Sequence, residues 1–169
     1  LQEKLQFMLK ATGGVPSPFD NWLTLRSTKT LALRYQKASD NASSLANFLS
    51  EHPSVTRTIY PGLKSHPQHE IAMKQQLSQK GKVVFGAMLS IDVGDIDLRD
   101  NLLERIEVFQ LAESLGSVES LVCVPFFMTH AALPEDIKLE MGITKTLIRL
   151  SVGIEDLDDL KSDLSNALN

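Results

Sequence analysis

The stretch TLIRLSVGIED, residues 146–156, sets Arg149 among Leu147, Ile148, Leu150, Val152 and Ile154. On an extended strand, alternation puts Arg149 on the face of Leu147 and Ser151, opposite Ile148, Leu150 and Val152. A buried charge is costly unless it is paired. The planar guanidinium therefore meets a carboxylate of the protein, sits at a sheet edge, or is kept for a ligand carboxylate or phosphate, and the residues leave these open. In ESLGS, residues 113–117, the glycine marks a sharp turn or a close backbone approach. Ser114 beside it is either a hydrogen-bond donor to a ligand or a plain turn serine. The Gly-x-Ser-x-Gly frame of a nucleophilic serine is absent.

Three other groups have a chemical reading that the sequence does not support. His66, His69 and Glu70 in KSHPQHE suggest a metal, but no second Cys or His cluster exists to complete three or four ligands. They read as a polar turn, and no metal is expected. Lys29 in STKT follows small hydroxyl residues, as a lysine that forms Schiff bases often does. It lies between a helix start and a helical stripe, so it reads as a solvated lysine. Cys123, the single cysteine, sits in the apolar run LVCV and reads as a core thiol.

The elements that must position these residues follow from periodicity and breakers. An amphipathic fragment runs into Gly13-Gly14, which ends it. Ser17-Pro18-Phe19-Asp20 is a helix start, with a serine cap, proline in the first turn and an acid three residues after the cap. Leu31, Tyr35, Ala38, Ala42, Leu45, Ala46 and Leu49 then form one stripe of a helix over about 29–50, stopped by His52-Pro53. Strands are predicted over 55–60 and 83–91, with a short helix over 68–78 between them. A helix over 97–108 carries Leu98, Leu102, Ile106 and Phe109 on one face. Short strands over 111–112, 121–123 and 147–152 precede a charged amphipathic helix over 156–168. The fold class is α+β: a small, mainly antiparallel sheet with helices packed on one side and one long helix leading in.

The 169 residues suit one domain with a real core. A net charge of −4, with no cluster of either sign, argues against nucleic acid and anionic membranes as partners. No run of apolar residues is long enough to span a bilayer, and no basic-then-apolar leader opens the chain. One cysteine suits a reducing compartment, and a cytoplasmic location is expected.

Five stretches occur together in order: SPFDNWLTLRSTKTLALR, YPGLKSHPQHE, LAESLGSVESL, PFFMTHA and GITKTLIRLSVGIEDLDDL. Over residues 7–168 the chain resembles the C-terminal domain of the pyridoxal-phosphate (PLP) trans-sulfuration enzymes. These are cystathionine γ-synthase, γ-lyase and β-lyase, and methionine γ-lyase. The resemblance implies a fold type I PLP enzyme, usually a homotetramer, with a large cofactor domain preceding a small one. Residues 1–15 would end the large domain and its linker, and 16–169 would form the small domain. It implies that Arg149 holds the α-carboxylate of an amino-acid substrate, cystathionine or an activated homoserine. Ser114 and Thr129 would be its neighbours, and Glu113 would line the side-chain pocket.

It also implies that the Schiff-base lysine and the cofactor-binding residues lie outside this chain. No catalytic or cofactor-binding residue is therefore expected here, and the 169 residues alone should be inactive part of a longer protein. One departure is Phe7-Met8-Leu9-Lys10, where the family usually has Gln-Asn after an aromatic. Glu113 with Leu115 resembles the γ-synthase and γ-lyase side, while Gly116-Ser117-Val118 and PFFM also resemble β-lyases, so the subfamily stays open. Readings of another class are a non-catalytic module that binds amino-acid carboxylates or partners, and a purely structural domain.

Overall fold

A computed structural model describes residues 1–78 and 80–169. The chain forms two compact units, Leu1–Leu33 and Arg34–Asn169. In the first, α1 (Gln2–Thr12) ends at Gly13, whose φ of 64° is the left-handed conformation that a glycine adopts without penalty. α2 (Pro18–Thr28) opens with the predicted capping box: Ser17 Oγ accepts from Asp20 N–H, and the Asp20 carboxylate accepts from Ser17 N–H. Neither helix buries a residue, and Phe7, Phe19, Trp22 and Leu25 are exposed.

α3 (Leu31–Ser50) carries the chain into the second unit, followed by β1 (Arg57–Ile59), α4 (His69–Gln75), β2 (Met88–Asp92) and α5 (Ile96–Arg105). Then come β3 (Gln110–Leu111), β4 (Leu121–Cys123), α6 (Glu135–Glu140), β5 (Leu147–Ser151) and α7 (Leu157–Leu168). The strands form one five-stranded sheet in the order β1-β2-β5-β4-β3. All pairs are antiparallel except β3 with β4.

One sheet face, with Leu89, Ile91, Val122, Ile148, Leu150 and Val152, packs with Ala42, Leu45 and Leu49 of α3, Leu102 of α5, and Leu160 and Leu164 of α7. Each fully buried leucine or isoleucine there contributes about 2 kcal/mol. The other face is mostly polar in its middle, where Arg149 lies between Ser90 and Cys123. A smaller cluster of Val124, Phe126, Ile143 and Leu147 closes one end of it.

The departures from periodicity have local causes. The strand expected over 83–91 starts only at Met88, because Gly86 turns the backbone (φ 85°) and takes partners off the sheet. Its N–H donates to Ser39 Oγ, and its carbonyl accepts from the Tyr60 hydroxyl. The helix expected to reach residue 108 stops at Arg105. There Asp163 of α7 captures the N–H groups of Glu107, Val108 and Phe109 at 2.8, 3.0 and 3.1 Å. Two residues of β3 pair parallel to β4, and α6 was not anticipated because it is only six residues long.

Asp92, 8% exposed at the end of β2, accepts from Thr144 Oγ1 (2.8 Å), Thr146 Oγ1 (2.6 Å) and Gly94 N–H (3.1 Å). Burial raises its pKa, but these hydrogen bonds and the nearby Arg57 outweigh burial and hold it below the ordinary aspartate value. A depressed carboxylate stabilises the fold above its unfolded pKa and ceases to as pH falls through its folded value. Urea unfolding should therefore show stability lost below about pH 4, with a shallower acid-side loss in Thr144→Ala/Thr146→Val. Asp163→Ala strands three backbone donors and should cost about 3 kcal/mol in the same assay. Asp163→Asn, which keeps acceptor capacity, should cost less.

Candidate functional site

β5 is the central strand, and Arg149 is its middle residue, directly opposite Ser90 of β2 and Cys123 of β4. Its guanidinium is half-buried, and Nη2 is a buried donor without a hydrogen-bond partner. Among the described residues no carboxylate lies within salt-bridge distance of it. The sequence left an internal ion pair, an edge position and a ligand as alternatives for this arginine; its strand is central, and the internal pair is not formed. A buried guanidinium nitrogen with a free N–H is suited to a planar, bidentate anion such as a carboxylate.

Topology brings two loops to this arginine. β3 and β4 run parallel, so both chains leave the sheet at the same end, the end at which Cys123 faces Arg149. After β3, Ala112 N–H donates to Val122 O, and four residues later Gly116 N–H donates to Ser151 Oγ at 2.9 Å. Ser151 shares the face of Arg149, so residues 113–115 span the stretch between these two anchors. Glu113 and Ser114 lie in that span with exposed side chains. Gly116 has φ 78°, which explains why a glycine stands where the loop reverses.

After β4 the chain enters a compact turn. Phe127 and Met128 N–H donate to Val124 O, His130 N–H donates to Pro125 O, and Ala131 N–H donates to Met128 O. Thr129 is exposed on this turn, its hydroxyl 2.8 Å from His130 Nδ1. Both hydroxyl-bearing segments thus begin beside the Arg149–Cys123 pair.

Cys123 is 1% exposed. Burial raises its thiol pKa and Arg149 pulls it back without reversing the shift, while Glu113 pushes it further up. The thiol is thus held protonated, the state of a packing residue rather than a nucleophile. His69 Nδ1 is 2.8 Å from Pro61 O with its ring stacked on Phe85, and His66 Nδ1 accepts from Gln68 N–H. These contacts account for both histidines as turn-forming groups. Lys29 is exposed at the C-terminal cap of α2.

The donor set fits a carboxylate. Lys29 is solvated, and the buried ammonium of Lys138 is engaged by two backbone carbonyls. Sequence reasoning noted Ser151 on the arginine's face but missed its work as the anchor of Gly116. It missed Lys138 altogether, because a lysine in a short polar segment gives no signal of burial.

A family profile described as Cys/Met metabolism PLP-dependent enzyme matches residues 1–169. The chain is 51% identical over 169 residues to the cystathionine gamma-lyase of Dictyostelium discoideum, covering 100% of this chain and 42% of that protein. It is 47% identical over 169 residues to the cystathionine beta-lyase of Coxiella burnetii (strain RSA 493 / Nine Mile phase I), again 42% of that protein. The crystal structure of cystathionine gamma synthase from Xanthomonas oryzae pv. oryzae, in complex with aminoacrylate and cysteine, superposes with a TM-score of 0.87 at 40% identity. That match covers 99% of this chain and 42% of the other. The chain thus spans less than half the length of these relatives, and its neighbours are fold type I PLP enzymes, in keeping with the α+β class read from the sequence. The chain belongs to the family of PLP-dependent enzymes of cysteine and methionine metabolism.

Proposed function

We propose that this chain is the small, C-terminal part of a PLP-dependent trans-sulfuration enzyme and that it holds the α-carboxylate of the amino-acid substrate. The observation that carries the reading is the buried, unpartnered Nη2 of Arg149 at the centre of the sheet. The substrate is cystathionine or an activated homoserine, attacked at the β- or γ-carbon. In this reading Arg149 forks onto the carboxylate, and the hydroxyls of Ser114 and Thr129 add hydrogen bonds beside it. Fixing one end of the amino acid in this way orients the bond to be broken, a positional contribution to rate. Glu113, in the same loop as Ser114, lines the pocket for the substrate's side chain. Ser151 contributes indirectly, by holding Gly116 and with it the reach of that loop.

The cofactor, when bound by the remainder of the parent protein, supplies the electron sink for carbanion chemistry. The parent is a homotetramer in this reading, and the 169 residues alone turn nothing over. Relatives are named both gamma-lyase and beta-lyase, and products distinguish them. Cysteine with 2-oxobutyrate from cystathionine marks γ-cleavage, and homocysteine with pyruvate marks β-cleavage. A requirement for cysteine with an acylated homoserine marks a synthase.

In the full-length protein, Arg149→Ala should weaken amino-acid binding or turnover by roughly 2–4 kcal/mol while the PLP absorption band is retained. Arg149→Lys should recover only part, since an ammonium cannot reproduce the fork. Unchanged kinetics in Arg149→Ala rule the assignment out. Glu113→Ala should change the ratio of β- to γ-cleavage products more than total activity. Identical product ratios would remove Glu113 from the pocket.

A further inference from the structure

Lys138 of α6 is 6% exposed. Among the described residues no carboxylate lies within salt-bridge distance of its ammonium. Nζ donates instead to the carbonyl oxygens of Phe126 (3.0 Å) and Ala131 (3.2 Å), and it stands 4.5 Å from the centroid of the Phe126 ring. A buried cation compensated only by carbonyl dipoles and a ring face is a costly means of holding a turn. An unbranched apolar side chain in its place would avoid most of the desolvation. What the ammonium does, and an apolar chain does not, is fix two carbonyls in space at once.

Those two carbonyls bracket residues 127–130, the part of the turn that bears Thr129. The turn begins directly after Cys123, the partner of Arg149 in the ladder. One end of the turn is therefore set by the sheet, and the far end by Lys138. α6 is itself tied down beside it: Lys138 N–H donates to Pro134 O, and Lys138 O accepts from Ile143 N–H. Two other cations stand over the rings of Phe126 and Phe127 but do not bond the carbonyls of the turn. Lys145 stands 5.5 Å over Phe126 and is paired with Glu135, and Arg99 stands 5.1 Å over Phe127 and is paired with Asp100. Arg99 also donates to Lys145 O, outside the turn.

We propose that Lys138 is a positioning residue for amino-acid binding: by clamping the Phe126 and Ala131 carbonyls it sets the height of Thr129 relative to Arg149. The inference rests on the reading of Arg149 as the carboxylate site. It assigns Lys138 no contact with substrate or cofactor, and its effect runs wholly through the turn.

The test uses the full-length holoenzyme and whichever of L-cystathionine or acylated homoserine it turns over. Lys138→Met should raise KM about tenfold with kcat changed less than about threefold and the PLP band unaltered. Lys138→Arg, which can still reach both carbonyls, should return KM to within about threefold of the parent. In a Thr129→Val background, Lys138→Met should add little, because both changes remove the same hydroxyl from its place. Lys145→Met, which loses a cation over the same ring but no bond to the turn, should leave KM unchanged.

An unchanged KM in Lys138→Met overturns the proposal, as does a full additional loss in the Thr129→Val background or an equal effect from Lys145→Met. Should Lys138→Met not fold, Lys138→Gln is measured by the same criteria, since it keeps a donor without the charge. Arg149→Ala, assayed alongside, separates the two readings. If it raises KM while Lys138→Met does not, only the positioning role fails. If it leaves KM unchanged, the carboxylate site fails, and the positioning role fails with it.

Discussion

Across the ladder of β5 with β2 and β4, Arg149 stands opposite Ser90 on one side and Cys123 on the other. A slip of one residue would turn its guanidinium into the leucine-rich face and bring Ile148 out, because side chains alternate strictly along a strand. The register is held from both faces. Ile148 and Leu150 are fully buried against the helices, and Leu147 packs with Val124, Phe126 and Ile143 on the other side. The packing energy of the core thus fixes the position of a charge that contributes nothing to the core itself.

The end of β5 is held by a polar network that the core could not supply. Asn41 of α3 donates to the carbonyls of Gly153 and Glu155 at 3.1 and 3.0 Å. Ser120 donates through Oγ to the Glu155 carboxylate and accepts from Gly153 N–H, while Ile154 N–H donates to Val118 O. A Cβ at Gly153 would collide with the carbonyl of Val118, so this crossing requires glycine. The network joins the long helix, the end of β5 and the start of β4. It therefore fixes the frame within which Ser151 holds Gly116 and, through it, the loop of Glu113 and Ser114.

Much of this was legible along the chain. Ala38, Ala42, Leu45, Ala46 and Leu49 of the predicted stripe are buried, as are Leu102 and Phe109 of the predicted second face, and the capping box at Ser17 and Asp20 is formed, whereas Leu31 and Tyr35 at the start of the stripe are exposed. The strand β4 has the predicted bounds, and β5 stops one residue short of them. What was not legible depended on partners far away in sequence. The premature end of α5 is caused by Asp163, more than fifty residues on, and the late start of β2 by Gly86 pairing with Ser39 and Tyr60. Asn41 is buried on the same helix as the predicted stripe, α3, and its distant carbonyl partners explain why a polar side chain is accommodated there.

Alternation by itself determined that Arg149 shares a face with Leu147 and Ser151, and five ordered motifs were enough to place the chain in its family. Neither could decide whether the arginine had a partner. That depended on which side chains the sheet order brings beside β5, and on the short parallel strand β3 delivering its loop to the same end as β4. Strand order and loop course are settled by long-range packing and hydrogen bonding, which local sequence does not encode, so the unpartnered guanidinium nitrogen and the clamp at Lys138 emerge only from the tertiary structure.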